Sequence, residues 1–461
     1  MGIFGALTTS VAGLRAESYA LENISGNIAN SQTTAFKRID TSFLDLIPET
    51  GPTQQKAGSV TSASRSTNTV QGDVQAASVS TYMAINGSGF FVVQKPGNFT
   101  DNAPIFDGVE NYTRRGDFTL NKDGYLVNGA GYYLEGIPID PTTGNLVGSA
   151  PQVLKFKNDF LPAQATSKVE YRANLASYPL TTKHDVSIPG SELLKPADFS
   201  AGNDPTVAGT GKVIGSDMQT FIDESIAGGA VTAYDVSGAP VNLQFRWAKT
   251  DSASLGAGHT DTWNMFYQVD PNATGTNTAW QNVGTNFTFG ANGQPNPPVA
   301  SVTLTGATVN GVALGNPVVN FSSGGLTQYA DANGNVQVNQ IQQDGFPAGS
   351  LQSVSISNNG RVVGNYSNGR NLDLAEITLA TFNGPDFLKR KDGGAFEATD
   401  ESGQALFGNG GTIVGSSLEG SNTDIADEFT KLIVTQQAYS ANTKVITTSN
   451  QMVQDLLNVL R

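Results

Sequence analysis

Six residues toward the end of the chain, Ile425, Leu432, Tyr439, Ile446, Val453 and Leu460, stand seven positions apart without a break. A heptad spacing places them on one slowly drifting stripe of a helix, and such a stripe stays wet until another helix covers it. The alternate seam, Phe429, Gln436, Thr443, Asn450 and Leu457, is more than half polar. The spacing predicts a helix over about 422–460. Ser421 or Asn422 is expected to cap it, and Asp424, Asp427 and Glu428 fall in the first turns, where the helix dipole favours anions. A weaker copy of the pattern opens the chain, from about Phe4 to Ala29. There Leu7, Leu14, Leu21 and Ile28 recur at seven, with Val11 and Ile24 between them, while Gly13 and Gly26 each cost about 1 kcal/mol against Ala. Single helices of this kind are marginal in water, and burying each seam side chain contributes roughly 1.5–3 kcal/mol. Two readings stay open at this point. The ends form an intramolecular helical hairpin on a globular body, or they are an assembly module that packs against other copies.

Between the ends the pattern is β. Residues 31–75 are rich in Ser, Thr, Gln and Gly and read as an extended linker. Asn86-Gly87-Ser88-Gly89 followed by Phe90-Phe91-Val92-Val93 reads as a turn and a buried strand. Phe118 and Leu120, the turn Lys122-Asp123-Gly124, then Tyr125 and Val127 read as a hairpin. Further turns fall at Asn359-Gly360 and Asn368-Gly369. Val231 to Tyr234 and Val241 to Trp247 are β-patterned runs within a Gly/Asn/Thr-rich middle. The expected fold class is multidomain and mainly β, with a terminal α-helical coiled coil and nested β domains between the two helices. The expected divisions are 1–30 with 421–461 as the helical part, 31–75 as the linker, 76–165 with 342–420 as a first β domain, and 166–341 as an inserted β domain.

Composition removes most chemistry. With no Cys and two His among 461 residues, disulfides, thiol nucleophiles and zinc-thiolate sites are excluded, and a multi-histidine metal centre has too few ligands. The 26 basic and 40 acidic residues give a net charge of −14, the wrong sign for a phosphate-binding footprint. No run of 18 apolar residues occurs, so no membrane insertion is expected, and Met1 to Ser10 lacks the basic region and apolar core of a cleaved secretory signal. Gly209-Thr-Gly211-Lys-Val is neither a dinucleotide loop nor a P-loop. Asp331-Ala-Asn333-Gly334-Asn335 starts like a calcium loop, but Val336 and Gln342 occupy the positions that need Gly and Glu, so an ordinary turn is expected. His184 and His259 sit in polar loops. No catalytic residue, cofactor or metal ligand is assigned.

The ends also carry motifs. Gly13-Leu14-Arg15-Ala16 and Asn27-Ile28-Ala29-Asn30-Ser31-Gln32-Thr33-Thr34-Ala35-Phe36-Lys37-Arg38 precede the β region, and Leu418-Glu419-Gly420-Ser421-Asn422-Thr423-Asp424-Ile425-Ala426 and Gln436-Gln437-Ala438-Tyr439-Ser440-Ala441-Asn442-Thr443-Lys444 close the chain. With Ile85-Asn86-Gly87-Ser88-Gly89-Phe90-Phe91 and Tyr112-Thr113-Arg114-Arg115-Gly116-Asp117-Phe118, they resemble the rod and hook axial proteins of the bacterial flagellum. Two positions depart from that family's pattern: Gly26 stands for an Asn and Ala35 for a Gly, which matters if the backbone at 35 needs positive φ. Asp344-Gly345-Phe346-Pro347-Ala348-Gly349 leading into Gly364-Asn365-Tyr366, and the large middle insertion, are similar to the hook branch rather than to the shorter rod proteins. The resemblance implies a structural, non-enzymatic subunit that polymerises into a curved flexible tube, a universal joint carrying torque from rod to filament. It implies export through the flagellar apparatus without a cleaved signal and an extracellular location. The implied partners are further copies of the chain, the distal rod protein, the hook cap protein and the hook–filament junction protein. Leu7, Val11, Leu14, Leu21, Ile28, Ile425, Phe429, Leu432, Tyr439, Ile446, Val453 and Leu457 are the expected subunit contacts. The alternatives are a distal rod or hook-associated junction protein, and a secreted β-rich adhesin.

Overall fold

The computed structural model describes residues 3–46, 58–101, 103–141, 143–156, 160–322, 324–408 and 410–459. It divides into two units, 1–159 with 351–461, and 160–350.

The first unit is mainly β and carries both long helices, Ile3–Ala29 and Ile425–Val459, packed together. Leu460, the last residue of the heptad series, lies outside the described residues. After the first helix, Asn30 to Arg38 turns the chain into the strand Ile39–Leu46, which pairs with Ser59–Ser66 from Ile39↔Ser66 to Leu46↔Ser59. The stretch that composition marks as a linker therefore carries a hairpin. Its serines and threonines give no apolar alternation to reveal it, and it is held by the helix it lies on: Asn23 Nδ2 donates to Thr41 Oγ1 at 2.8 Å, and Tyr19 shares a hydrogen bond with Ser64.

The β part interleaves the two halves of the chain. Val74–Ala76 pairs with Ser417–Glu419, Met83–Asn86 with Thr412–Gly415, Phe90–Thr100 with Leu379–Thr381, and Ala103–Thr113 with Ala395–Glu397. The run Phe90-Phe91-Val92-Val93 is apolar throughout because both faces of its strand are covered. Phe91 and Val93 join Met83, Ile85, Phe118, Leu134 and Val362 in one core, while Phe90 and Val92 join Tyr112, Phe382 and Phe396 in another. The preceding turn needs its glycines, since Gly87 and Gly89 hold φ of 104° and 119°, a region closed to most side chains. The 118–127 hairpin forms as its sequence predicts, with Thr119–Leu120 paired to Leu126–Val127. The Asn359-Gly360 and Asn368-Gly369 turns join Gly349–Ile356, Arg361–Tyr366 and Asn371–Glu376.

In the second unit, one sheet runs in the order Lys212–Ile214, Thr278–Thr288, Thr262–Gln268, Pro240–Asp251, Ile226–Tyr234, and another is built around Lys168–Ala176. Their core holds Tyr171, Phe245, Trp247, Trp263, Phe287 and Phe321. Tyr171 accepts from Trp247 Nε1 at 2.9 Å and donates to Gly228 O at 2.7 Å, so its buried hydroxyl is satisfied. The Asp331 loop is a turn: one carboxylate oxygen accepts from the Asn333 and Asn335 amides at 3.0 and 3.1 Å.

Candidate functional site

The helix pair is built from small and polar residues at its centre. On the first helix, Ser10, Gly13, Ala16, Ala20, Ile24 and Asn27 are buried. Facing them on the second are Glu428, Thr435 and Ser449, with the half-buried Asn442 between. These four positions also recur at seven, but three residues on from the apolar stripe. Small residues let the two backbones approach closely. A Cβ on Gly13 would stand 3.0 Å from Asn442 Nδ2. An apolar search misses this seam, and the regular spacing of small residues on the first helix is the signal that marks it.

The sequence-predicted contact residues therefore fall beside that seam. Leu7, Leu14, Leu21, Ile28, Leu432, Ile446 and Val453 are half-buried on its flanks. Val11, Ile425, Phe429, Tyr439 and Leu457 are exposed, Phe429 at 50% and Leu457 at 59%. Five apolar side chains that the heptad argument passes over are also exposed on the second helix: Ile433, Val434, Val445, Met452 and Leu456. Lys444 is the only charged residue from Leu432 to Gln454. Next to the first helix, Leu7, Val11 and Tyr19 line a groove with Leu46 and Val60 of the hairpin.

The start of the second helix differs from expectation. Its cap is Asp424, whose carboxylate accepts the Ala426 and Asp427 amides at 2.8 and 3.3 Å. Asn422 is engaged elsewhere: its Oδ1 accepts the Arg38 amide at 2.7 Å, and its Nδ2 donates to Thr67 Oγ1 and Val70 O, both at 3.1 Å. Asn27 ties the two helices to the hairpin. It exchanges hydrogen bonds with the Ile39 amide and carbonyl, both at 2.9 Å, and donates to buried Glu428 at 3.0 Å. Lys431 closes the group, meeting Glu428 at 2.8 Å and Asp40 at 3.4 Å. Ala35 does hold positive φ, 55°.

The two histidines serve loops. His259 Nδ1 lies 2.7 Å from Asp251 Oδ1, and His184 Nδ1 lies 2.6 Å from Thr181 O. Among the described residues, no three His, Asp or Glu side chains are grouped to hold a metal ion, and no helix is long and apolar enough to cross a membrane.

Three family models match the chain. The flagellar hook protein FlgE/F/G D1 domain covers residues 84–159, the flagellar basal body protein FlaE D2 domain covers 226–346, and the flagellar basal body rod FlgEFG protein C-terminal region covers 414–459. Relatives described as flagellar hook protein FlgE align along the whole length. That of Brucella abortus is 29% identical and covers 100% of both chains. That of Salmonella typhimurium is 29% identical over 98% of each. That of Escherichia coli is 29% identical over 98% of this chain and 100% of its own. The crystal structure of a Helicobacter pylori flagellar hook protein, FlgE2, superposes on 75% of this chain with a TM-score of 0.48 and 16% identity.

Proposed function

We propose, for a chain that belongs to the hook proteins of the flagellar rod and hook family, that the apolar flanks of its terminal helix pair are the contacts by which copies close into a tube. As a hook protein it is a structural subunit of the flagellar hook and not an enzyme. The observation that carries the proposal is the exposure that remains after the two helices have paired. Ile425, Phe429, Tyr439 and Leu457, with Ile433, Val434, Val445, Met452 and Leu456, stay open to water in a single copy. Each is 41–60% exposed, so covering it contributes roughly half of the 1.5–3 kcal/mol that burial of a whole side chain gives, and the near absence of charge along 432–454 leaves little desolvation cost to oppose it. The polar positions Gln436, Thr443 and Asn450 hold register less tightly than apolar ones would. That suits a curved tube whose subunits change their mutual spacing at every turn, as a universal joint between rod and filament requires. The same reading takes the subunit to be exported without a cleaved signal to an extracellular position. There it would meet the distal rod protein, the hook cap protein and the hook–filament junction protein.

Phe429→Asp and Leu457→Asp test the contact surface. Both side chains are exposed in the single copy, so melting of the soluble chain should stay within about 0.5 kcal/mol of the wild type. Electron micrographs at high concentration should show tubes from the wild type and none from either variant. Normal tubes from both variants would overturn the proposal.

A further inference from the structure

Glu419 ends the strand Ser417–Glu419, six residues ahead of the second long helix, and is wholly buried. Its Oε1 accepts from Lys37 Nζ and, at 3.0 Å, from the Gly72 amide, and its Oε2 meets Arg114 Nη1 at 3.4 Å. Lys37 and Arg114 are each 2% exposed. Their remaining bonds go to backbone, Lys37 Nζ to Val70 O and Arg114 Nη2 to Gly87 O, both at 2.7 Å. The three charges come from three places. Lys37 belongs to the turn that leaves the first helix, Arg114 directly follows the central strand Ala103–Thr113, and Glu419 belongs to the segment that enters the second helix. The backbone crosses at the same point: the Ala35 amide donates to Glu419 O at 2.9 Å, the Gly420 amide to Asp73 O at 2.8 Å, and the Asn422 amide to Phe36 O at 3.1 Å.

Two buried cations around one carboxylate make a contact that does not loosen gradually. Without the carboxylate, both cations lie in a site that disfavours their charge, and the cost of leaving them so exceeds what neutral hydrogen bonds nearby can offset. Burial already pulls both Lys37 and Arg114 below their ordinary values, against the attraction of Glu419. Removing the carboxylate from this site therefore costs far more than removing the partner of an exposed ion pair would. None of the three side chains lies on the apolar helix surface described above, so the cluster stands apart from the contacts proposed between copies. It joins the two covalent crossings between the helix pair and the β domain.

We infer that the Lys37–Glu419–Arg114 cluster is a latch that fixes the helix pair to the β domain of the same subunit and passes twist between them. The mechanical half of this inference rests on the tube reading above; the latch itself does not. The test begins with amide hydrogen exchange on the soluble full chain. In Glu419→Gln, exchange at Ala35, Gly72, Gly420 and Asn422 should accelerate by roughly tenfold or more, while Trp247 and Phe266 in the second unit keep their protection. The double variant Lys37→Met/Glu419→Gln should exchange no faster at those four amides than Glu419→Gln alone, because both changes break one contact. Unchanged exchange in Glu419→Gln, or effects that simply multiply in the double variant, would overturn the latch. If Glu419→Gln unfolds the first unit throughout, the triple variant Lys37→Met/Arg114→Met/Glu419→Gln, which removes both cations left without a carboxylate, decides: recovery of protection at Phe91 and Val93 supports the latch and continued unfolding overturns it. Tubes grown from the double variant should form and bend more readily in electron micrographs. Tubes of unaltered stiffness, or none where the wild type forms them, overturn the force path. Failure of the wild-type chain to form tubes counts against the tube reading, and the exchange result still decides the latch.

Discussion

Glu135 sits on the strand Tyr133–Pro138, 1% exposed, with one carboxylate oxygen that finds no partner. Burial raises its pKa to about 7 from 4.5; the charge of Glu110 adds to the shift and a bond to Gln94 opposes it. The folded state thus binds this proton more tightly than the unfolded chain does. The stabilisation is fully present below the unfolded value near 4.5 and is lost as pH rises through about 7. The melting temperature of the first unit should fall between about pH 5 and about pH 8, and Glu135→Gln, which keeps the shape without the charge, should flatten that fall. A variant whose profile matches the wild type would assign the pH dependence elsewhere. Ala35 belongs to the same scale. An Ala at positive φ costs on the order of 1–2 kcal/mol, so its place in a motif that usually has Gly raises the question of what holds it. The backbone does: its amide is bound to Glu419 O in a closed crossing, and the side chain is 4% exposed. The departure was visible in the sequence, whereas the crossing that tolerates it joins residues almost four hundred positions apart and was not.

At the scale of elements, the long helices were legible because a seven-residue spacing survives any tertiary context, and the structure gives Ile3–Ala29 and Ile425–Val459 close to the expected bounds. Which face of each helix meets the other was not legible. The apolar series points to Leu14, Leu21, Leu432 and Ile446, yet the centre of the pair is Ser10, Gly13, Ala16 and Ala20 against Thr435, Asn442 and Ser449. Close approach selects for size there, and an apolar count does not register size. The cap was misplaced by two residues for a related reason. Asn422 is a good cap by type, but its amide and carbonyl groups are taken by Arg38, Thr67 and Val70, leaving Asp424 to the helix. Gly13→Leu follows from this geometry. The added side chain must displace Asn442, at a cost of about 1–3 kcal/mol. Exchange along 425–459 should quicken, while the protection of Phe91, Val93 and Leu134 in the β core stays as it was. Unchanged exchange along the second helix would show that the pair is not held at Gly13.

For the whole molecule, the order of the chain matters more than its composition. Each described core cluster draws on one unit: Met83 to Ile413 without any residue of 160–350 in the first, Val169 to Val336 in the second. The first unit cannot close until strands from both halves of the chain meet, whereas the second begins and ends on adjacent strands, with Phe160 opposite Ser350 and Leu161 opposite Gly349. Residues opposed across an antiparallel pair lie about 4.5–5.5 Å apart, a gap that a two-residue turn closes. Joining Leu161 to Gly349 through Asn-Gly therefore removes the second unit without stretching the chain. The shortened protein should melt in a single cooperative transition and keep the amide protection of Phe91, Val93 and Leu134. It should also form tubes, since every contact assigned above to tube closure lies on the terminal helices. Loss of the β core would show that the first unit depends on the insertion for its fold. A folded but non-assembling protein would place essential contacts in 160–350 and withdraw that role from the helix flanks. Tubes from the shortened chain that vanish again on Leu457→Asp would fix the closing contact on the C-terminal helix.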